Sequence, residues 1–140
     1  ALDVTIQAQI LDLIRGLQAR RGMSVILITH DLGVVAETCD RVMVMYAGRK
    51  IEEATAAELF ARPRHPYTLG LLGSVPVLGR SRDARLQEIA GTVPPMGALP
   101  PGCAFAPRCE RRIAPCTAEV PRLVPAGPHP AACFNPADAA

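Results

Sequence analysis

Residues 24–31 read Ser24-Val25-Ile26-Leu27-Ile28-Thr29-His30-Asp31, a short apolar run that stops at a polar triplet. Four consecutive apolar residues are too few for a helix. They suit a strand buried on both faces of a parallel sheet. A helical pattern starts at once, so His30 falls at the strand's carboxyl end. In open α/β sheets, ligands bind outside the carboxyl ends of strands. The expectation is therefore a strand over Ser24–Thr29 with His30 placed for chemistry. A hydrogen-bonded turn residue is the plainer alternative for a lone His there.

Upstream, Ile6, Ile10, Leu13, Ile14 and Leu17 repeat at helical spacing and form one apolar stripe. Asp3 or Thr5 can cap that helix, and Arg20-Arg21-Gly22 supplies cations and a glycine stop. Downstream, a short helix is expected over about Leu32–Thr38, capped by Asp31 or Thr29. Cys39 at its end reads as a small buried residue. Arg41–Tyr46 reads as a strand, Ala47-Gly48 as a turn and Arg49–Glu53 as the returning strand of a hairpin. Thr55–Phe60 reads as a short helix capped by Thr55. This order gives an α/β class. A segment of about 60 residues covers its own surface poorly. Its sheet is expected to need more strands, placed upstream. The first residues, without an initiator Met, read as a loop already entering a helix, as in a truncated chain.

The 140 residues carry a net charge of only +2, which argues against nucleic-acid binding by bulk electrostatics. Residues 1–61 carry a net −2 and residues 62–140 a net +4, an asymmetry that solvated surface accounts for. No basic stretch followed by an apolar core opens the chain, and no apolar run approaches a membrane span. A cytosolic setting is expected, in which thiols stay reduced and clustered cysteines point to metal.

Composition changes after residue 61. Arg62–His65 is a basic link, and Pro66 suits the first turn of a helix beginning near His65. Of 14 prolines, 11 lie at or beyond Pro94, so long helices and central strands are ruled out there. Cys103, Cys109, Cys116 and Cys133 stand in that segment at C-x5-C-x6-C-x16-C. Four thiolates complete a tetrahedral zinc site or a four-iron cluster. Metal binding could organise a chain that lacks a core. Structural zinc usually uses one tight cysteine pair, which is absent here. Two disulfides suit a secreted module, and an iron–sulfur cluster tolerates wider loops. His129 could replace one ligand, although an ordinary loop role is the simpler reading.

Ala1-Leu2-Asp3-Val4-Thr5 followed by Ser24–Asp31 resembles the D-loop and switch-histidine loop of an ABC-transporter ATPase domain. His65-Pro66-Tyr67-Thr68 with Leu71-Leu72, Gly102-Cys103, Cys109, Cys116 and Cys133-Phe134 resembles the C-terminal extension of oligopeptide and dipeptide (or nickel) importer ATPases. The resemblance implies the C-terminal part of a P-loop ABC ATPase domain over 1–61. A Pro-rich, cysteine-containing irregular extension follows over 62–140. It implies two ATPase subunits packed head to tail around ATP and Mg. It also implies transmembrane permease subunits, a periplasmic binding protein acting indirectly, and a place on the cytoplasmic face of the inner membrane. His30 would match the residue that hydrogen-bonds the γ-phosphate, and Asp3 the residue that signals across the dimer. Cys103, Cys109, Cys116 and Cys133 would hold a four-iron, four-sulfur cluster, with zinc as the alternative.

The pattern G-x-x-x-x-G-K-[S/T] is absent from the 140 residues, as are the ABC signature and the Walker B carboxylates. The chain alone is expected to hydrolyse no ATP. A zinc-type interaction module without an ATPase role is the competing function. It would need basic and aromatic surface near the cysteines, where Phe105 and Phe134 are the rings available.

Overall fold

The computed structural model describes residues 4–75, 88–123, 127 and 129–137. These form a mixed helix and strand architecture in two compact units, residues 1–38 and 39–140. The change of composition at 61/62 does not coincide with this division of packing. Asp3 lies outside the described residues.

The first unit holds α1 (Val4–Arg21) and α2 (Leu32–Thr38). The helical spacing of the apolar residues is realised in α1. Gly22 ends it in the left-handed region at φ 62°, its N–H donating to the Gln18 carbonyl at 2.8 Å. Asp31 caps α2: its Oδ1 accepts from the N–H groups of Gly33 at 2.9 Å and Val34 at 3.2 Å. Arg15 on α1 donates to the Glu37 carbonyl of α2 at 2.8 Å.

The expected strand over Ser24–Thr29 is not formed. These residues have no regular secondary structure and are exposed, Ile26 at 93% and Ile28 at 94%. A strand exists only through its ladder of hydrogen bonds to a neighbour. Among the described residues no strand pairs with this run. Cys39 is half-buried rather than buried.

The second unit is built on the hairpin β1 (Arg41–Tyr46) and β2 (Arg49–Thr55). Ala47 and Gly48 both take positive φ, 46° and 74°, as a two-residue turn matched to strand twist requires. The register slips between Val44 and Met45: Val44 faces Glu52 while Met45 faces Lys50. Ile51 is the extra residue of this bulge. The slip turns Ile51, Glu52 and Ala54 all inward. A strict alternation would have sent Ile51 and Glu52 to opposite faces.

Thr55 caps α3 (Ala56–Ala61) in a reciprocal box with Glu58. His65 caps α4 (Pro66–Gly73), with Pro66 at its first position as expected. The core gathers Val44, Tyr46, Ile51, Ala54 and Leu59 from the hairpin side with Ala104 and Phe105 from the Pro-rich segment. The rings of Tyr46, Tyr67 and Phe105 meet edge to face, with centroids 4.7–5.5 Å apart. The irregular segment therefore contributes to the core. Its own elements are short: single 3-10 turns at Met96–Ala98 and Ala106–Arg108, and α5 (Pro115–Ala118). No helix among the described residues is long and apolar enough to cross a membrane.

Candidate functional site

Loop segments and one short helix deliver four thiols to one recess. Its lining includes Cys103, Cys109, Cys116 and Cys133, together with His65, Phe105, Arg111 and Phe134. Each turn is made by local sequence. Gly102 lets the chain pass against the end of α5, where the Cys103 N–H donates to the Cys116 carbonyl at 2.8 Å. A Cβ at residue 102 would stand 2.7 Å from the Thr117 carbonyl carbon. Pro107 starts the turn that leads to Cys109, and Pro115 the helix that carries Cys116.

The fourth cysteine arrives by a different route. Residues 130–132 lie antiparallel along the free edge of β2, with Ala131 opposite Glu52. Glu53 donates to the Pro130 carbonyl at 3.1 Å, and Ala132 to the Ile51 carbonyl at 2.7 Å. The inward Glu52 side chain, 0% exposed, locks this strap. Its Oε1 accepts from the Arg64 N–H and meets His129 Nε2 at 2.7 Å, and its Oε2 accepts from the His65 N–H at 2.9 Å. Arg64 closes the lock by donating to the His129 carbonyl at 2.7 Å. His129 is thus committed to a carboxylate, away from the cysteine recess. Beyond Cys133, Asn135 donates to the Arg111 carbonyl at 3.0 Å while Arg111 donates back to Pro136 at 3.2 Å.

The surroundings of three of these thiols favour the protonated form. Burial pushes Cys103, Cys109 and Cys133 above the ordinary thiol range, and the thiols raise one another further. Opposing this, backbone N–H groups point at the sulfurs: Phe105 and Ala106 at Cys103, Arg111 at Cys109, and Asn135 at Cys133 at 3.4 Å. The Arg111 guanidinium adds positive charge beside Cys109. No disulfide joins Cys103, Cys109, Cys116 and Cys133 in this structure.

The size of a metal centre held by four thiolates can be bounded from chemistry. Four sulfurs about 2.3 Å from one zinc must stand within about 4 Å of each other. Among the described residues, no group of three or more His, Cys, Asp or Glu could hold a metal ion. The four thiols share a recess of about 290 Å³, counted to its open mouth. A polynuclear centre with bridging sulfide spreads its cysteine ligands more widely than one ion does.

His65 completes the wall. It is 1% exposed, and burial pushes its pKa down to about 4, with Glu52 partly opposing. Its Nδ1 accepts the Tyr67 N–H at 3.0 Å.

His30 belongs to the first unit. It is exposed at a bend before α2 and makes no hydrogen bond to the described residues. Its neighbours are taken up locally: Thr29 Oγ1 accepts the Asp31 N–H at 3.0 Å, and Asp31 caps α2.

The residues missed from the sequence are Glu52 and His65. Alternation gives no signal for Glu52, because the bulge at Ile51 breaks the period of two. The cap position before Pro66 is the signal for His65.

Residues 51–116 match the family described as the C-terminal region of oligopeptide/dipeptide transporters. The match takes in Glu52, His65 and three of the four cysteines and stops before the strap with Cys133. Over 136 residues the chain is 56% identical to the probable peptide ABC transporter ATP-binding protein y4tR of Sinorhizobium fredii, covering 96% of this chain and 41% of that protein. It is 52% identical over 124 residues to the oligopeptide transport ATP-binding protein AppD of Bacillus subtilis, covering 89% and 38%. It is 53% identical over 136 residues to the oligopeptide transport ATP-binding protein OppD of Mycobacterium bovis, covering 96% and 22%. The chain spans about two fifths or less of the length of these relatives.

Proposed function

Because the chain belongs to the ATP-binding proteins of peptide ABC transporters, we propose that it is the C-terminal part of a subunit that powers peptide import by ATP hydrolysis. The observation that carries this reading is the relatedness over nearly the whole chain to proteins of that description. ATP and Mg are bound by the larger subunit. The partners are a second ATPase subunit and transmembrane permease subunits, with a periplasmic binding protein acting indirectly. The site of action is the cytoplasmic face of the inner membrane, and no nucleic acid is involved. Nothing in the relatives' descriptions favours a zinc-type interaction module.

On this reading His30 donates to the γ-phosphate, where catalysis rests on positioning and charge stabilisation. Its support is an exposed ring without a partner among the described residues, next to Thr29 and Asp31 that are already engaged. Asp3 serves communication across the ATPase dimer. Ser24–Thr29 forms its strand when sheet neighbours from the larger subunit pair with it. The exposed Ile26 and Ile28 are the supporting feature. The chain by itself lacks a phosphate-binding loop and turns over no ATP.

The four thiolates hold a four-iron, four-sulfur cluster, a group that supplies one-electron chemistry or a covalent clip when bound. Backbone N–H donors and Arg111 stabilise the thiolate charge. The clip role is preferred, since the segment is short of regular elements yet shares a core.

The test of the ATPase reading is His30→Ala in the intact subunit. ATP binding stays within about threefold, and turnover falls by about 100-fold or more. Unchanged turnover would overturn the role of His30. Phosphate release by the 140-residue chain alone would overturn the claim of inactivity.

A further inference from the structure

One backbone hydrogen bond ties two of the four recess cysteines directly together. The Cys103 N–H donates to the Cys116 carbonyl at 2.8 Å. With standard bond lengths, that bond keeps the two Cα atoms within about 6.5 Å of each other. A disulfide needs Cα atoms about 4.4–6.8 Å apart and side chains that do not point away from each other. Both side chains line the same recess, so they face a common space. No other pair among Cys103, Cys109, Cys116 and Cys133 is joined by a backbone hydrogen bond.

The residues around the pair hold this approach. Gly102 leaves room for it, since a Cβ there would stand 2.7 Å from the Thr117 carbonyl carbon. The Ala106 N–H closes a turn on the Cys103 carbonyl at 3.0 Å, and the Cys116 N–H donates to the Ile113 carbonyl at 3.0 Å. Access to the two thiols differs. Cys116 is buried, while Cys103 is half-buried. Cys103 also lines a neighbouring recess whose wall includes Arg49 and Lys50. Those cations suit a small disulfide that carries carboxylates.

We propose that Cys103 and Cys116 form a reversible disulfide by exchange with a small anionic disulfide, a redox-sensitive modification site in the metal-free chain. The Cys103 thiolate attacks one sulfur of the small disulfide, whose S–S bond breaks and releases one thiolate. The Cys116 thiolate then attacks the Cys103 sulfur and expels the second small thiolate. Each protein thiol gives up one proton, and each released thiolate takes one up. Two protein thiols are oxidised, and one small disulfide is reduced to two thiols. The new bond withdraws two of the four thiols from the recess. The proposal stands on the geometry of this pair and does not depend on the cluster reading.

Each of the five cysteines falls on a different tryptic peptide, because an Arg separates each from the next. The 140-residue chain is reduced, stripped of metal with a chelator and incubated with oxidised glutathione. Remaining thiols are alkylated, and linked peptides are mapped by mass spectrometry. The Cys103–Cys116 link is expected at about tenfold or more over any other pairing. Two glutathione thiols are released per bond. In concentrated urea, chain entropy decides instead, so the shorter loops Cys103–Cys109 and Cys109–Cys116 should predominate. In Cys116→Ser, a glutathione adduct should remain on Cys103.

A different dominant pair in the native chain would overturn the proposal. So would the same distribution of pairs with and without urea, or a native chain that stays reduced. In Cys116→Ser, an unmodified Cys103 would overturn its place as the first nucleophile. The wild-type map decides the pairing whatever that variant does.

Discussion

The two units use apolar residues of similar kind and reach opposite outcomes. In residues 1–38, α1 presents Ile6, Ile10, Leu13 and Leu17 to solvent, and Ile26 and Ile28 stand almost fully exposed. In residues 39–140, the hairpin closes on Phe105 and a far strap closes on the hairpin. What separates them is long-range pairing. The second unit supplies its own strand neighbour and its own buried carboxylate. The first supplies neither for Ser24–Thr29. Apolar content alone does not make a core; each strand must also find a hydrogen-bonding edge.

The strongest way to break this contrast is to remove the buried carboxylate. Glu52→Ala leaves the N–H groups of Arg64 and His65 and the His129 ring without their acceptor. The expected loss is about 4 kcal/mol in urea unfolding, at about 1–3 kcal/mol per stranded donor. Hydrogen exchange over residues 129–133 should accelerate at the same time. A strap that stays protected would mean that the β2 edge holds it without Glu52.

Acid sharpens the contrast by about 3 kcal/mol. Above pH 6.5 His65 is neutral in both folded and unfolded chains, so stability does not depend on it. As pH falls from 6.5 toward 4, the unfolded chain takes up a proton that the buried ring refuses, because its folded pKa is about 4. Stability of the metal-free chain should fall across that window and then level off. His65→Asn should flatten the His65 contribution; an unchanged acid limb in that variant would contradict it.

A smaller effect comes from the close passage at Gly102. Gly102→Ala forces a methyl group against the backbone of Cys116 and Thr117. The expected cost is about 1–3 kcal/mol, read as a lower urea midpoint with unchanged slope. The smallest effect belongs to the first unit. Ile26→Lys with Ile28→Lys should change the stability of this chain by no more than about 0.5 kcal/mol. A larger loss would mean that the run is paired in solution.

Much of this is local and was legible in the residues. Thr55 before α3, Asp31 before α2, Pro66 after His65 and Ala47-Gly48 each carry their own turn chemistry, and each forms as read. The grouping of four cysteines was legible too, as a count and a compartment argument. Three features were not. The bulge at Ile51 breaks the period of two, so the inward Glu52 cannot be found by alternation. The strap pairs residues nearly 80 apart, a contact that no short-range pattern encodes. Ser24–Thr29 has strand composition, but a strand is a property of a pair, and the described residues offer it no neighbour.

Cys103, Cys109, Cys116 and Cys133 line one recess, and the central proposal is that they hold an iron–sulfur centre there. Anaerobic purification followed by iron, sulfide and zinc analysis tests it most directly. About four iron and four sulfide per chain are expected, with a brown colour that is lost when Cys133 is replaced by Ala. A colourless chain carrying a single zinc, or one without metal after reconstitution with iron and sulfide, would contradict it.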